Sequence, residues 1–332
     1  MSESSQGDER PCLLLVDDEP SNLHVLREIL QDDYRLLFAR DGERALQIAR
    51  SARPDLIVLD VMMPGLTGYE VCRTLKGEAV TASIPVIFVS ALADVGDETR
   101  GFDAGGVDYL TKPVSPAVVR ARVRTHLKLV RVEELVATRL AIVQRLGVAA
   151  EYKDDETGRH VIRMSHYSRV LALAAGLGDR VADEILHAAP MHDVGKIGIP
   201  DAILRKPGKL DADEWKIMAS HVEIGGRIIG EHETGLLAMA RRVALCHHEK
   251  WDGSGYPAGL VGEDIPIEAR IVAIADVFDA LTSERPYKHA WPVDEAVDLL
   301  LRERGRHFDA QLVDLFIERL PEMLEIRARW AD

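Results

Sequence analysis

Leu56-Ile57-Val58-Leu59-Asp60 is a run of four apolar residues ending on a carboxylate, and it sets the fold class of the first part of the chain. A short apolar run without alternation reads as a strand buried on both faces, which suits a parallel sheet covered by helices. On either side of it, Leu13-Leu14-Leu15-Val16 and Val86-Ile87-Phe88-Val89 have the same form, and weaker strands are predicted around 36–39 and 107–110. Helix-like stretches separate them, so the segment from Leu13 to about His126 is predicted to be a doubly wound α/β domain with a five-stranded parallel sheet. Polar residues succeed the strands where such a sheet forms its crevice: Asp17 and Asp18, Asp60, Ser90 and Lys112. A lone Asp at a strand end is more often a helix cap, but four strands end this way. Converging carboxylates could hold a hard divalent cation, leaving Lys112 and the Ser90 hydroxyl to hold phosphoryl oxygens.

After Ser115 the pattern turns helical without clear interruption to about Tyr152, with Val119, Val123, Leu127, Val130, Leu135, Leu140, Val143 and Leu146 as apolar positions. This suits the last helix of the first domain extended into a connector, either a dimer seam or a rod docked on the second domain. From Asp155 onward helical patterns separated by Gly and Pro dominate, so the second domain is predicted to be all-α. The expected organisation of the 332 residues is a flexible tail over 1–10, a first domain over 11–130, a connector over 115–152 that overlaps it, and a second domain over 153–332.

A net charge of -14 argues against broad nucleic-acid binding, which depends on neutralising phosphates, and no basic recognition module comes after the first domain. No apolar run reaches the roughly 18 residues of a membrane span, and Met1 to Arg10 is polar and acidic, unlike a secretory leader. A cytoplasmic protein without membrane insertion is expected. Cys12, Cys72 and Cys246 have no paired spacing and read as buried small side chains in a reducing compartment.

The second segment carries Glu156, His160, His192-Asp193, His221, His247-His248 and Asp276. Glu156 and His160 are four residues apart and would share a helix face. Adjacent His247 and His248 cannot both point inward on an ideal helix, but they can flank a metal at a helix end. Asp276 interrupts an apolar helix, Ile271-Val272-Ala273-Ile274-Ala275, and needs either an ion-pair partner or a metal to offset its desolvation.

Leu15-Val16-Asp17-Asp18-Glu19-Pro20, Leu59-Asp60 through Gly68, Val89-Ser90-Ala91 and Lys112-Pro113 resemble the receiver domain of two-component response regulators. The resemblance implies Asp60 as phosphoacceptor, Asp17, Asp18 and Asp60 around Mg2+, Ser90 and Lys112 as switch hydroxyl and phosphate-binding lysine, Tyr109 as the conformational aromatic, and a cis Lys112-Pro113 bond. It also implies a sensor histidine kinase or small phosphodonor as partner.

His192-Asp193-Val194-Gly195-Lys196, with His247-His248-Glu249 through Gly255-Tyr256-Pro257 and Asp276-Val277-Phe278-Asp279-Ala280-Leu281-Thr282, resembles the HD-GYP branch of the HD phosphohydrolase superfamily. The resemblance implies hydrolysis of cyclic di-GMP to linear pGpG, with further cleavage to GMP left open. It makes His160, His192, Asp193, His221, His247, His248 and Asp276 metal ligands, with Asp193 bridging two ions. Glu156 matches a carboxylate of a third metal position, and accepting a hydrogen bond from a ligand histidine is the alternative. Lys196 matches the lysine near the scissile phosphate, and Arg285 and Lys288 match basic residues on the other phosphate. Imidazole and carboxylate ligation without cysteine fits two or three first-row ions, Fe or Mn, without choosing one. A homodimer through the connector and a GGDEF-type signalling partner are further candidate partners. The Gly255-Tyr256-Pro257 loop could serve substrate access or partner binding.

Overall fold

A computed structural model describes residues 10–91, 95–151, 153, 158–284 and 289–331. Of the expected tail over 1–10, all but Arg10 lies outside the described residues. The chain divides into two compact units, Met1–Val136 and Ala137–Asp332.

In the first unit β1 (Cys12–Val16), β2 (Arg35–Ala39), β3 (Leu56–Asp60), β4 (Val86–Ser90) and β5 (Asp108–Thr111) form one parallel sheet in the order β2-β1-β3-β4-β5. The helices between and after them are α1 (Pro20–Leu30), α2 (Gly42–Ala52), α3 (Gly68–Gly77), α4 (Val95–Asp103) and α5 (Pro116–Glu151). Every residue of β1, β3 and β4 is buried because both faces of the sheet are covered. Side chains alternate between those faces. Leu14 and Val16 pack with Ala45, Val71 and Leu75, while Leu13 and Leu15 pack with Leu23, Leu26, Val119 and Val123. Local chemistry sets the helix starts: Asp41 accepts from the Arg44 backbone N–H at the head of α2, and Thr67 with Glu70 forms a capping box on α3. β5 starts one residue later than the predicted 107–110.

Register delivers the polar strand ends to one edge. Val16 pairs with Leu59, Asp60 with Val89 and Ser90 with Thr111, so Asp17, Asp60, Ser90 and Lys112 emerge side by side. The predicted helix after Ser115 is one uninterrupted element, α5, of 36 residues.

The second unit is helical, with α6 (Gly158–Ala174), α7 (Gly178–Ala188), α8 (Asp201–Leu204), α9 (Ala212–Ala219), α10 (His221–Ile229), α11 (Gly235–Cys246), α12 (Ile267–Thr282), α13 (Val293–Arg302), α14 (Ala310–Glu318) and α15 (Leu320–Arg329). Helix α6 packs against α7 and α12, and α11 packs against α10 and α7. Tyr167 of α6 meets Phe278 of α12 edge to face at 5.7 Å, and Phe278 meets Phe316 of α14 at 5.0 Å. Each such buried ring contributes roughly 1.5–3 kcal/mol by leaving water. Among the described residues no helix is long and apolar enough to cross a membrane. Cys12 and Cys72 are buried as expected, whereas Cys246 is only half-buried.

Candidate metal centre and receiver acidic site

In the second unit short elements bring distant residues to one point. Two 3-10 turns, Ala189–Met191 and Val194–Gly198, flank His192-Asp193 and expose both side chains to the same interior. His221 opens α10, His247 caps the end of α11 with His248 just beyond, His160 lies on α6 and Asp276 on α12. Ligand-type atoms of Asp193, His221, His247 and His248 lie within 4.8 Å of one another, as do those of His160, His192 and Asp276.

Asp193 stands between the two groups. Its Oδ1 is 3.2 Å from His221 Nε2 and 3.6 Å from His247 Nε2, and its Oδ2 is 3.2 Å from His192 Nε2. His160 Nε2 lies 3.3 Å from Asp276 Oδ1. Lys196 Nζ lies 2.8 Å from Asp193 Oδ2.

The outer nitrogens of four imidazoles are already engaged. His192 Nδ1 meets the Ala189 carbonyl at 3.0 Å, His221 Nδ1 that of Met218 at 2.7 Å, and His247 Nδ1 that of Val243 at 3.1 Å. His160 Nδ1 meets the Asp279 carboxylate at 2.8 Å. A carbonyl or carboxylate only accepts, so each Nδ1 carries a proton, and Nε2 of His192, His221 and His247 turns its lone pair inward. Asp193 Oδ1, His221 Nε2 and His247 Nε2 are buried and make no hydrogen bond among the described residues, though they face one another. Buried polar atoms left so are costly, and a shared cation satisfies them together.

The electrostatics agree. Burial would raise the Asp193 carboxyl, but Lys196 and His192 outweigh it and hold the group well below its ordinary range. Asp276 is likewise lowered against its burial by the His160 hydrogen bond and the His192 imidazole. Burial, then the adjacent His247, depresses His248 well below the usual imidazole value, and burial also lowers His247. Burial opposes a charge on His160, yet Asp276 and Asp279 together raise it well above its ordinary value, so His160 is the exception: its Nε2 holds a proton toward Asp276 that a bound ion would have to displace. Anionic carboxylates and neutral imidazoles are the forms that bind divalent metals.

Three residues to which the sequence assigned no role, Asp279, Arg163 and Glu249, support this centre. Asp279 is fully buried, and Arg163 grips it through Nε at 2.8 Å and Nη2 at 2.9 Å, so the carboxylate that orients His160 is itself fixed. Asp279 recurs three residues after Asp276, one helical turn along α12, and that spacing was the available signal. Glu249 accepts from the backbone N–H groups of Ala258 and Leu260 at 2.8 and 3.0 Å, which ties down the loop carrying Gly255, Tyr256 and Pro257. The loop closes on His248: Tyr256 donates its backbone N–H to the His248 carbonyl at 3.2 Å, and its ring stacks on that imidazole at 4.9 Å. A side chain at Gly255 would put Cβ 2.3 Å from the Lys250 nitrogen, so this close path requires glycine. The Tyr256-Pro257 bond is cis. Glu156, Arg285 and Lys288 lie outside the described residues.

In the first unit Asp17, Asp18 and Asp60 converge with ligand-type oxygens within 4.8 Å of one another. Lys112 Nζ donates to Asp17 Oδ2 at 2.9 Å and lies 3.1 Å from Asp60 Oδ2. Burial raises the Asp60 carboxyl above its ordinary value despite Lys112, with the Asp17 charge adding to the shift. Asn22, also unremarked in the sequence, donates from Nδ2 to Asp17 Oδ1 at 3.0 Å and steadies it. Ser90 is buried at the end of β4. Tyr109 is buried against Phe88, with its hydroxyl 3.3 Å from that of Tyr69. The Lys112-Pro113 bond is cis.

A receiver-type sheet with an acidic strand-end site, joined to an all-helical domain centred on a His-Asp pair, places the chain in a recognisable class of signalling enzyme. The HD domain family matches residues 141–312, and the response regulator receiver domain family matches residues 13–124. The chain belongs to the two-component response regulators that join a receiver domain to an HD domain, a divalent-metal-dependent enzyme domain. It is 40% identical to a Vibrio cholerae serotype O1 protein named "Probable cyclic di-GMP phosphodiesterase", across 100% of this chain and 83% of the relative. It is 39% identical to the cyclic di-GMP phosphodiesterase response regulator RpfG of Xanthomonas campestris pv. campestris, across 95% and 89% of the two chains. The 3'3'-cGAMP-specific phosphodiesterase 2 of Vibrio cholerae serotype O1 is 49% identical across 60% of this chain and 38% of its own length.

Proposed function

We propose that this protein is a phosphorylation-regulated phosphodiesterase that hydrolyses cyclic di-GMP to linear pGpG. The observation that carries the reading is the Asp193 carboxylate, shared between two clusters of inward-facing imidazoles with Lys196 at 2.8 Å. Relatives named for cyclic di-GMP hydrolysis along nearly the whole chain support the substrate. Residues 11–130 act as receiver and 153–332 as hydrolase.

In this reading Asp193, His221, His247 and His248 would hold one ion and His160, His192 and Asp276 a second, with Asp193 in reach of both groups. Glu156 is assigned to a third position. Bound divalent ions, Fe or Mn, would supply Lewis acidity toward a phosphate oxygen and an acidified water. The chain supplies the rest. Asp279 and the backbone carbonyls engage Nδ1 of His160, His192, His221 and His247 and so leave Nε2 as their ligating atom. Lys196, largely shielded from solvent, brings N–H donors to the side of Asp193 where charge builds on phosphate oxygens, and can offset it. Arg285 and Lys288 are assigned to the second phosphate.

Protein loaded anaerobically with Fe or Mn should convert cyclic di-GMP to pGpG first in a time course of resolved products. The HD-half relative that is specific for 3'3'-cGAMP favours a second substrate, so both dinucleotides belong in one competition assay. Preferred cleavage of 3'3'-cGAMP would remove the cyclic di-GMP assignment.

Asp60 is proposed as the phosphoacceptor, with Mg2+ held by Asp17, Asp18 and Asp60. A phosphodonor should add one phosphoryl mass to the wild type and none to Asp60→Asn. Beryllofluoride, a stable phosphoryl mimic, should change turnover, because a doubly charged group beside Lys112 must redistribute the contacts of that lysine. Helix α5 offers the route: Val132, Leu135, Ile142 and Leu146 are exposed at heptad-like spacing, a face that a second copy would cover. Turnover and solution mass should therefore change over the same protein concentrations. If the mimic fully occupies Asp60 and neither turnover nor substrate affinity moves, the regulatory reading fails.

A further inference from the structure

Trp215 sits on α9, a helix none of whose residues is buried, and its indole is 52% exposed. The helix is nevertheless firmly placed. Asp211 and Glu214 form a capping box at its start, and Lys206 clamps Glu214 at 2.7 and 2.5 Å. At its far end the Met218 carbonyl, three residues and so nearly one turn beyond Trp215, holds Nδ1 of His221. The indole is also set against the metal centre from the side: it meets the Tyr256 ring edge to face at 6.1 Å, and Tyr256 stacks on His248 at 4.9 Å. A large rigid aromatic left half in water, on an anchored helix two rings from the metal-type ligands, is poorly explained by packing alone.

We propose that Trp215 is a substrate-binding residue whose indole face stacks on a nucleobase of the dinucleotide while the phosphate lies over the Asp193 cluster. The inference rests on the proposed cyclic-dinucleotide reading and adds a base-recognition element to it. Stacking on an aromatic face accepts any base, so this contact supplies affinity, and discrimination between guanine and adenine falls to other groups.

Metal-loaded full-length wild type, Trp215→Ala and Trp215→Phe are compared in steady state with cyclic di-GMP and 3'3'-cGAMP. Trp215→Ala is expected to raise KM about tenfold for whichever dinucleotide is cleaved, the scale of one base–aromatic stack, with kcat and metal content unchanged. Trp215→Phe should recover most of the loss. A non-hydrolysable phosphorothioate cyclic dinucleotide should quench tryptophan fluorescence in the wild type and much less in Trp215→Phe. A purely structural role, bracing Tyr256 and through it His248, would instead lower kcat and metal content and leave the quenching in place; that result overturns the proposal. Normal wild-type turnover with KM for Trp215→Ala within twofold overturns it alone. Absence of wild-type turnover on both dinucleotides overturns the proposed function and this inference together.

Discussion

An Asp193→Ala protein should lose hydrolysis by at least about 10³-fold, beyond the roughly 10–100-fold that changes outside the ligand set cost in metal sites. The carboxylate does two jobs that no neighbour can take over. Oδ1 serves the His221 and His247 side and Oδ2 the His192 side, so its removal takes an anionic donor from both groups at once. It also removes the carboxylate that Lys196 Nζ meets at 2.8 Å, so the negative charge that offsets this ammonium beside the metal-type ligands is lost. Metal content after anaerobic loading should therefore fall together with turnover. The receiver should still accept phosphate at Asp60, because its sheet and acidic site form within the first unit. Wild-type turnover by an Asp193→Ala protein that binds no metal would reject the mechanism.

Gly195→Ala is expected to be nearly as damaging, although position 195 contributes no ligand. A Cβ there would lie 1.8 Å from the His221 carbonyl oxygen and 2.5 Å from the Gly225 nitrogen, both backbone atoms of α10. Backbone cannot rotate aside as a side chain does, so α10 must retreat, and His221 opens that helix. A shift of about 1 Å at a reacting centre costs on the order of 100-fold in rate. Overpacking of this kind also destabilises by about 1–3 kcal/mol, which in a domain of this size lowers the melting temperature by roughly 2–12 °C. Differential scanning calorimetry should show that loss in the HD transition, while metal analysis reports weakened binding. Full activity with an unchanged melting profile would show that the turn holding Lys196 does not approach α10 this closely.

The same glycine shows how far the sequence could be read. His192-Asp193-Val194-Gly195-Lys196 is legible as a motif, but the reason for its glycine lies in a helix that begins 26 residues later and is visible only once both are folded. Asp279 is a similar case. Its place in the apolar α12 invites the same question as Asp276, yet only packing against α6 shows that it orients His160 and is gripped by Arg163. The Gly255-Tyr256-Pro257 loop stood out in composition, with substrate access and partner binding both open as its role. Its contact is with His248, seven residues before Gly255, through a stacked ring and a backbone hydrogen bond.

Local patterns were enough for whatever neighbouring residues encode. Uninterrupted apolar runs marked β1, β3 and β4 because strands buried on both faces have no polar alternation, and the carboxylate, hydroxyl and lysine after them marked the edge where a parallel sheet gathers its strand ends. The helical period carried the reading through α5 and the second unit, and the residue types of the His-Asp cluster carried its chemistry. Folding alone settles the features that depend on pairs distant in the chain: which oxygen of Asp193 faces which imidazoles, which carbonyl or carboxylate holds each Nδ1, and how Trp215, Tyr256 and His248 line up. Those choices come from packing α6, α10, α11 and α12 around one point, where distance and hydrogen-bond direction fix a side chain's role. Neither quantity is written in the order of residues along the chain.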